Sequence, residues 1–204
     1  MIRAAQKWAD AMRSGCISRF DVRLSLISTI WQTLLYPLPA LNLSKLECEQ
    51  IMAPILQYCL PAMGFCRTFP RAVVFAPLSS MGVGIEHLFT AQEILHIKDL
   101  IFHTAYDTDT GILYRISLEI LLLEVGVSSN LSLLDYDQLS ILATSSLVKS
   151  TWKFLLDHCL HLEHDMDFSL PRTNDQPIMS LILPLQPSFL ELVSINRCHL
   201  YLRA

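Results

Sequence analysis

Apolar residues recur with the period of an α-helix along most of this chain, beginning with its first segment. The first apolar stripe consists of Ala5, Trp8, Ala9 and Met12. Serine or threonine followed three residues later by an acid marks the start of further helices. These pairs are Ser18 with Asp21, Ser44 with Glu47, and Thr90 with Glu93. Because the period is helical in nearly every segment, the pattern predicts a mainly α-helical protein.

The second and third predicted helices contain features that limit their extent. The second has a predicted buried stripe of Val22, Leu26, Ile27, Ile30 and Leu34. Pro37 forbids its continuation, because proline disfavours a helical residue before it. Pro54 lies too deep in the third helix to be a first-turn proline, so a kink or break is predicted near Ala53.

The later segments predict two buried helices and one small β element. The predicted buried face of the helix after Thr90 contains Ile94, Ile97, Leu100 and Ile101. The helix over 110–126 is apolar nearly all round, so neighbouring elements are predicted to enclose it. The valine-rich run 72–75 and the run 83–85 flank a proline-containing turn, which predicts a hairpin. The expected fold is therefore mainly α, an irregular multi-helix domain with a small β-hairpin around residues 71–86.

The composition of the chain bears on membrane association. Of the 204 residues 52% are apolar, and the mean hydropathy of +0.40 is high for a soluble protein. The longest uncharged run lies between Arg23 and Lys45 and contains Pro37 and Pro39, which disfavour a membrane span. A membrane is therefore not an expected partner. A small membrane-associated protein that uses residues 24–43 is the third interpretation of the chain.

The cysteines bear on the cellular compartment. Six cysteines are scattered along the sequence without a C-x-x-C pair, and no secretory signal pattern follows Met1. Widely spaced thiols of this kind are typical of buried, reduced cysteines. The expected location is therefore intracellular, either cytoplasmic or nuclear, and the protein is not expected to be secreted.

Charge is distributed unevenly along the chain. Residues 1–74 contain eight Lys and Arg against four Asp and Glu, whereas residues 75–204 contain seven against fifteen. The net charges are therefore +4 and −8, and a basic first third predicts an edge that faces a polyanion. The candidate nucleic-acid-binding residues are Lys7, Arg13, Arg19, Arg23, Arg67 and Arg71. Ordinary solvation of polar helix faces is the alternative and is equally compatible with this pattern.

Catalytic signatures are absent from the sequence, which has no G-x-S-x-G, no P-loop and no G-x-G-x-x-G. The aspartates that most resemble the metal-binding pair of a polymerase are Asp107 with Asp109 and Asp135 with Asp137. One residue intervenes in each pair, so the two side chains diverge. Both pairs lie at predicted helix starts, where carboxylates complement the helix dipole. The chain is predicted not to be an enzyme and to need no cofactor or small-molecule ligand.

Two histidine sets resemble metal ligands in spacing. His96, Asp99 and His103 share one face of a predicted helix, as two or three ligands of a metal would. We prefer to interpret these residues as a solvent-exposed polar face of the helix, so no metal is predicted. The second set drifts around its helix and does not converge on one point. Its members are His158, His161 and His164.

One stretch, LPAMGFCRTFPRAVVFAPLSSMGVGIEHL over residues 60–88, combines two arginines, a proline turn and a glycine pair. Further along, the runs Thr151-Trp152-Lys153-Phe154 and Asn196-Arg197-Cys198 follow in order. Together these features resemble the region just after the reverse transcriptase domain in the polyproteins of eukaryotic non-LTR retrotransposons. Many relatives have Gly-Gly-Leu-Gly where this chain has Met81-Gly82-Val83-Gly84, and loss of the first glycine restricts the turn. Gly82 and Gly84 are the predicted structural turn residues.

The resemblance implies a division of the chain and a function. It implies that residues 1–66 are a thumb-like helical segment, and that residues 67–204 are a helical post-polymerase region with a hairpin entry, truncated at its C-terminus. The implied function is non-catalytic positioning of nucleic acid. The implied partners are an RNA or DNA template–primer, bound through the parent polyprotein, and the polymerase palm domain, which this chain lacks. The main alternative is a stand-alone helical protein-interaction module.

Overall fold

The structure is a computed structural model that describes residues 1–14, 17–127, 130–162 and 178–203. Within these ranges the chain is mainly helical and contains no β-strand, which confirms the predicted mainly α class. The α-helices are α1 (Ile2–Ser14), α2 (Arg19–Ser25), α3 (Gln32–Leu35), α4 (Lys45–Ala62), α5 (Arg71–Phe75), α6 (Leu88–Thr104), α7 (Asp109–Val125), α8 (Tyr136–Leu139), α9 (Leu147–Asp157), α10 (Ile178–Ile182) and α11 (Phe189–Arg203). A π-helical turn, Leu26–Trp31, joins α2 to α3.

The chain forms two compact units, Met1–Leu95 and His96–Ala204. We call them the first unit and the second unit. The division at residues 66 and 67 that the resemblance implies concerns function, and it stays a prediction.

The core of the first unit forms where α1 packs against α4. The predicted stripe of α1 faces this core: Ala5, Trp8 and Ala9 are buried, and Met12 packs against them.

Both predicted capping pairs of the unit's second and third helices are present. At α4 the Ser44 amide donates to Glu47 Oε2 at 2.8 Å, and the Glu47 amide donates to Ser44 Oγ at 3.3 Å. The Ser44 hydroxyl also donates to Glu47 Oε2 at 2.7 Å, and this bond, together with that of the Ser44 amide, lowers the pKa of the Glu47 carboxyl.

The second predicted helix contains the π-helical turn, which changes part of its buried stripe. Four members of the stripe are buried, namely Val22, Leu26, Ile30 and Leu34. Ile27, the fifth, is 46% exposed. Because a π turn holds more residues than an α turn, it shifts the following side chains around the axis. Trp31 is buried as a result, and its Nε1 donates to Glu86 Oε2 at 3.1 Å.

Of the kink or break predicted near Ala53, the break is absent, because α4 runs through Pro54 without interruption. Proline removes one intrahelical hydrogen bond. The apolar packing of this helix compensates, since most of its inward side chains are nearly inaccessible. These are Cys48, Ile51, Met52, Ile55, Leu56, Cys59 and Leu60.

Burial also governs the thiols of α4. Desolvation is the main reason that the pKa of Cys48 rises to about 11 and that of Cys59 to about 12. Negative charge on Glu47 adds to the shift at Cys48, whereas Arg23 opposes it at Cys59. Two other cysteines, Cys66 and Cys159, are exposed, so the expectation of buried thiols holds for only part of the set.

The β-hairpin predicted around residues 71–86 is wrong. Residues 71–75 form the short helix α5, and the chain returns past its C-terminal end. There the Val83 amide donates to the Val73 carbonyl at 2.9 Å, and the Ile85 amide donates to the Val74 carbonyl at 3.2 Å. The last carbonyls of a helix need partners from outside it, and the returning chain supplies them. Burial of Val74, Val83 and Ile85 then outweighs the β preference of the valines.

The core of the second unit forms around α7, α8 and α9, with Trp152 at 1% exposure. Only one side of α7 belongs to it, through Leu118, Leu121, Leu122 and Val125. The opposite side is open to solvent in the described structure, so the predicted enclosure of this helix is wrong. The exposed members are Ile112, Leu113, Ile116 and Ile120.

The buried face of α6 also differs from the prediction. Ile94 and Ile101 are 43% and 54% exposed, whereas Gln92, Glu93 and His96 are fully buried. Gln92 explains part of this reversal, because its amide pairs with the backbone of Leu43. The Leu43 amide donates to Gln92 Oε1 at 3.1 Å, and Gln92 Nε2 donates to the Leu43 carbonyl at 3.0 Å. A side chain that satisfies both backbone groups of a loop is stable when buried.

Candidate nucleic-acid interface

The first two candidate cations lie on α1, away from its buried stripe. Lys7 and Arg13 are both exposed. The guanidinium of Arg13 lies 5.9 Å from the ring centroid of Tyr58 on α4, within the range of a cation–π interaction. This contact leaves the guanidinium at the surface. Both side chains therefore present positive charge to solvent, as the helical period predicts.

Arg19 and Arg23 lie one turn apart on α2 and differ in their surroundings. Arg19 is exposed and lies against Gly64, where a Cβ would approach its Cζ to 2.8 Å. Arg23 is half-buried, and its Nη1 donates to the Val83 carbonyl at 3.1 Å. Its Nη2 lies beside Gly84, 3.3 Å from the position of a Cβ. Arg23 thus connects α2 to the glycine-containing turn, a contact that sequence spacing does not reveal.

The remaining candidates lie after α4. Arg67 follows this helix in the chain and Arg71 is the first residue of α5, and both are exposed. All six candidate cations belong to the first unit. Their contact with nucleic acid stays a prediction.

The turn that Arg23 contacts requires glycine at positions 82 and 84, for a different reason at each position. At Gly82 the limit is space, because a Cβ would lie 2.1 Å from the carbonyl oxygen of Ala76. At Gly84 the limit is conformation, since its φ of +71° is left-handed. The Gly84 amide donates to that same Ala76 carbonyl at 2.9 Å, and the Gly82 amide donates to the Pro77 carbonyl at 3.0 Å. The turn is therefore closed by backbone bonds.

Met81 precedes these glycines in an unfavourable backbone conformation. Its φ of 61° and ψ of 20° are left-handed, and its side chain is 93% exposed. A non-glycine residue in this region costs about 1–2 kcal/mol. The side chain recovers little of that cost through packing, so the position favours glycine.

We expect Met81→Gly to raise the free energy of unfolding by about 0.5–1 kcal/mol, because removal of Cβ strain exceeds the added backbone entropy of glycine. Urea unfolding followed by circular dichroism measures this change. Ser79→Gly is the matched control, since it adds the same backbone freedom in a right-handed part of the same turn. Ser79→Gly should lower the free energy of unfolding. Equal losses in both variants would contradict the strain at Met81.

The sequence-predicted metal face has a different environment from the one expected. His96 is buried, and Asp99 and His103 are half-buried. The face is therefore not the solvent-exposed polar face that the sequence predicts. His103 stacks on Tyr114 with 5.8 Å between ring centroids. Among the described residues no group of three His, Cys, Asp or Glu side chains is placed to hold a metal ion. His158 and His161 are exposed, and His164 lies outside the described residues.

The aspartate pairs have structural environments at or near helix starts. Asp109 is the first residue of α7, and Asp135 caps α8 by accepting from the amide of Asp137 at 3.0 Å. This arrangement confirms the helix-start position predicted for three of the four carboxylates. Asp107 instead accepts a bond of 2.7 Å from Arg115 Nη2.

Comparisons with protein-family models, with curated proteins and with solved structures give no match. The likeness to the region after a reverse transcriptase domain therefore rests on sequence pattern. The helices of the described part of the chain also lack the combination of length and apolar content that a bilayer span requires.

Proposed function

We propose that this chain is a non-catalytic region of a retrotransposon reverse transcriptase polyprotein, and that its first unit positions the template–primer through phosphate contacts. The order of the motifs from Leu60 to Leu88, and again near Asn196, supports the parentage. In this proposal the parent polyprotein supplies the polymerase palm, and the chain itself transfers no nucleotide.

The observation that carries the proposal is the set of exposed cations on α1 and α2. Lys7, Arg13 and Arg19 are exposed on two helices that also contribute apolar residues to the core of the first unit. The first unit has eight Lys and Arg against six Asp and Glu, a net charge of +2. The second unit has seven against thirteen, a net charge of −6. A polyanion is therefore attracted to the first unit and repelled by the second.

The half-buried Arg23 has a distinct place in this proposal. One of its nitrogens already binds the Val83 carbonyl, so the side chain orients the turn that follows α5. Phosphate contacts are assigned to Lys7, Arg13 and Arg19, whose cationic groups are at the surface. Arg67 and Arg71 add two further exposed cations to the same unit.

The direct experiment is binding of a fluorescent RNA–DNA hybrid to the full chain, followed by anisotropy across a salt series. Three phosphate contacts predict that log K falls against log salt with a slope of about 2 to 3. Hybrids of unrelated sequence should bind alike, because phosphate contacts are not sequence-specific. Failure to bind even at low salt would overturn the proposal.

A stand-alone helical protein-interaction module is the second candidate, and an exposed apolar stripe on the first unit favours it. Phe20, Leu24 and Ile27 are spaced i, i+4 and i+7 and are 71%, 53% and 46% exposed. Contiguous apolar surface of this kind often marks a protein interface. It also fits a surface that meets the palm. Strong binding of a hydrophobic dye is expected in both cases, so hybrid binding decides between them.

A further inference from the structure

One side of α7 carries a row of apolar side chains that faces solvent. Ile112, Ile116 and Ile120 follow one another at intervals of four residues, and Leu113 lies beside them. All four are between 44% and 63% exposed. We call these four residues the α7 ridge, which extends over about 12 Å of the helix axis. The opposite side of α7 belongs to the core of the second unit, so the ridge is fixed in position.

The α7 ridge has the geometry of a surface that packs against another helix. Side chains four residues apart form the rows that enter the grooves of a neighbouring helix. Isoleucine has one strongly preferred χ1 angle in a helix, so this row loses little side-chain entropy when a partner covers it. Both ends of α7 are also held in place: Thr108 Oγ accepts the Gly111 amide at 3.1 Å, and the left-handed Gly126 ends the helix. The ridge is therefore a preformed surface.

Negative charge borders the α7 ridge. Asp109 lies one turn before Ile112, Glu119 lies one turn after Ile116, and both carboxylates are exposed. Neither carboxylate takes part in a hydrogen bond or an ion pair with the part of the chain that the structure describes. The cation of this helix, Arg115, is paired with Asp107 at 2.7 Å, so its charge is already balanced. The carboxylates beside the ridge are thus available to a partner, in a unit whose net charge is −6.

These charges distinguish a basic partner from a second copy of the chain. Two copies that met through the α7 ridge would each bring Asp109 and Glu119 into the contact, and like charges across an interface repel. A helix with lysine or arginine along both edges of its apolar face has the opposite effect. Its apolar residues cover the ridge, and its cations pair with the two carboxylates.

We propose that the α7 ridge docks an amphipathic helix of another protein, with lysine or arginine residues flanking the apolar face of that helix. The apolar row supplies the buried contact, and Asp109 and Glu119 select a basic partner over an acidic one. The site belongs to the second unit and takes a cationic partner, so it does not depend on nucleic-acid binding by the first unit.

The test measures the binding of three fluorescent peptides to the full chain by anisotropy. Each peptide has about 18 residues, which is long enough to form a helix. The first has leucine at helical spacing and lysine along both edges of the leucine face. The second has glutamate in place of lysine, and the third is a scrambled isomer of the first that has the same charge but no apolar face. The lysine peptide should bind about tenfold more tightly than either of the others.

Two variants of the chain separate the apolar contribution from the charged one. Ile116→Gln with Ile120→Gln should weaken binding of the lysine peptide by about tenfold, because the apolar burial is lost. Glu119→Lys should weaken the lysine peptide by about threefold and strengthen the glutamate peptide by a similar factor. Such a change of preference does not result from a loss of folding. All three positions are exposed, so both variants should keep the wild-type helical content.

The matched control is Leu133→Gln with Leu185→Gln, which alters two exposed apolar residues on other elements of the same unit. It should leave all three affinities unchanged. The proposal is overturned if the glutamate or the scrambled peptide binds as tightly as the lysine peptide, if the isoleucine variant binds like the wild type, or if Glu119→Lys leaves the preference unchanged. Absence of binding at millimolar peptide overturns it as well. So does self-association of the wild-type chain that the isoleucine variant loses, because a second copy would then cover the ridge.

Discussion

Replacing Gly82 with alanine is expected to lower the free energy of unfolding by about 3 kcal/mol, a loss typical of an overpacked site that cannot relax. The new Cβ would lie 2.1 Å from the Ala76 carbonyl oxygen, which belongs to the backbone. That carbonyl accepts the Gly84 amide, so it moves aside only if this bond breaks. Both the steric clash and the lost bond therefore destabilise the turn.

Urea unfolding of three variants gives the comparison. Gly84→Ala should cost less than Gly82→Ala, about 1–2 kcal/mol, because its penalty is a left-handed φ and its nearest neighbour is the flexible Leu78 side chain. Ser80→Ala, an exposed change in the same turn, should stay within about 0.5 kcal/mol of the wild type. A loss in Gly82→Ala no larger than that of Ser80→Ala would show that the turn does not approach Ala76 closely.

Local signals predicted most helix starts, because a capping pair and an apolar period act within one or two turns. The start predicted from Thr90 and Glu93 is wrong, since α6 begins at Leu88 and Glu93 is buried within it. Ser44 and Glu47 form the reciprocal bonds that their spacing indicates. The stripe of α1 faces the core as predicted, since every member is set by the same helical period. Such features need no knowledge of the rest of the fold.

Long-range contacts explain where sequence reasoning failed. The segment 71–75 has β-branched residues, yet it is helical because residues 83–85 satisfy its carbonyls and bury its side chains. On α6, Gln92 is buried and Ile94 is exposed, because the side chain of Gln92 hydrogen-bonds to the backbone of Leu43. Neither partner lies within the local window from which propensity or periodicity is judged.

The candidate interface was predictable in part for the same reason. Exposure of Lys7 and Arg13 follows from helical periodicity, because these residues lie outside the apolar stripe of α1. Arg19 is three residues before the buried Val22, on the same face, and is exposed at the first position of α2. The half-buried state of Arg23 follows from a contact with Val83, 60 residues away along the chain. The spacing of Arg19 and Arg23 alone makes them look equivalent, and only the position of the turn distinguishes them.

Exchange of Lys7, Arg13 and Arg19 together for glutamine is expected to reduce affinity for an RNA–DNA hybrid by about a hundredfold at 0.1 M salt. Each lost phosphate contact removes the counterion release that supports binding. Arg23 is left intact because its bond to Val83 makes it part of the fold. The variant should keep the wild-type helical content and lose no more than about 1 kcal/mol of the free energy of unfolding, since all three positions are exposed and the contact of Arg13 with Tyr58 is weak at the surface.

The matched control exchanges Lys98, Lys153 and Arg197 for glutamine. These three residues are also exposed, and they belong to the acidic second unit. The control therefore changes the net charge of the chain by the same amount as the test variant. If net charge alone governs binding, the two variants will behave alike, whereas a surface on the first unit makes them differ.

The salt dependence of hybrid binding, measured in parallel for the wild type, the test variant and the control, examines the central proposal most directly. Phosphate contacts by Lys7, Arg13 and Arg19 predict equal slopes of log K against log salt for the wild type and the control, and a slope flatter by about 2 to 3 for the test variant. A slope that stays unchanged in this variant, or falls equally in the control, would contradict nucleic-acid positioning by the first unit.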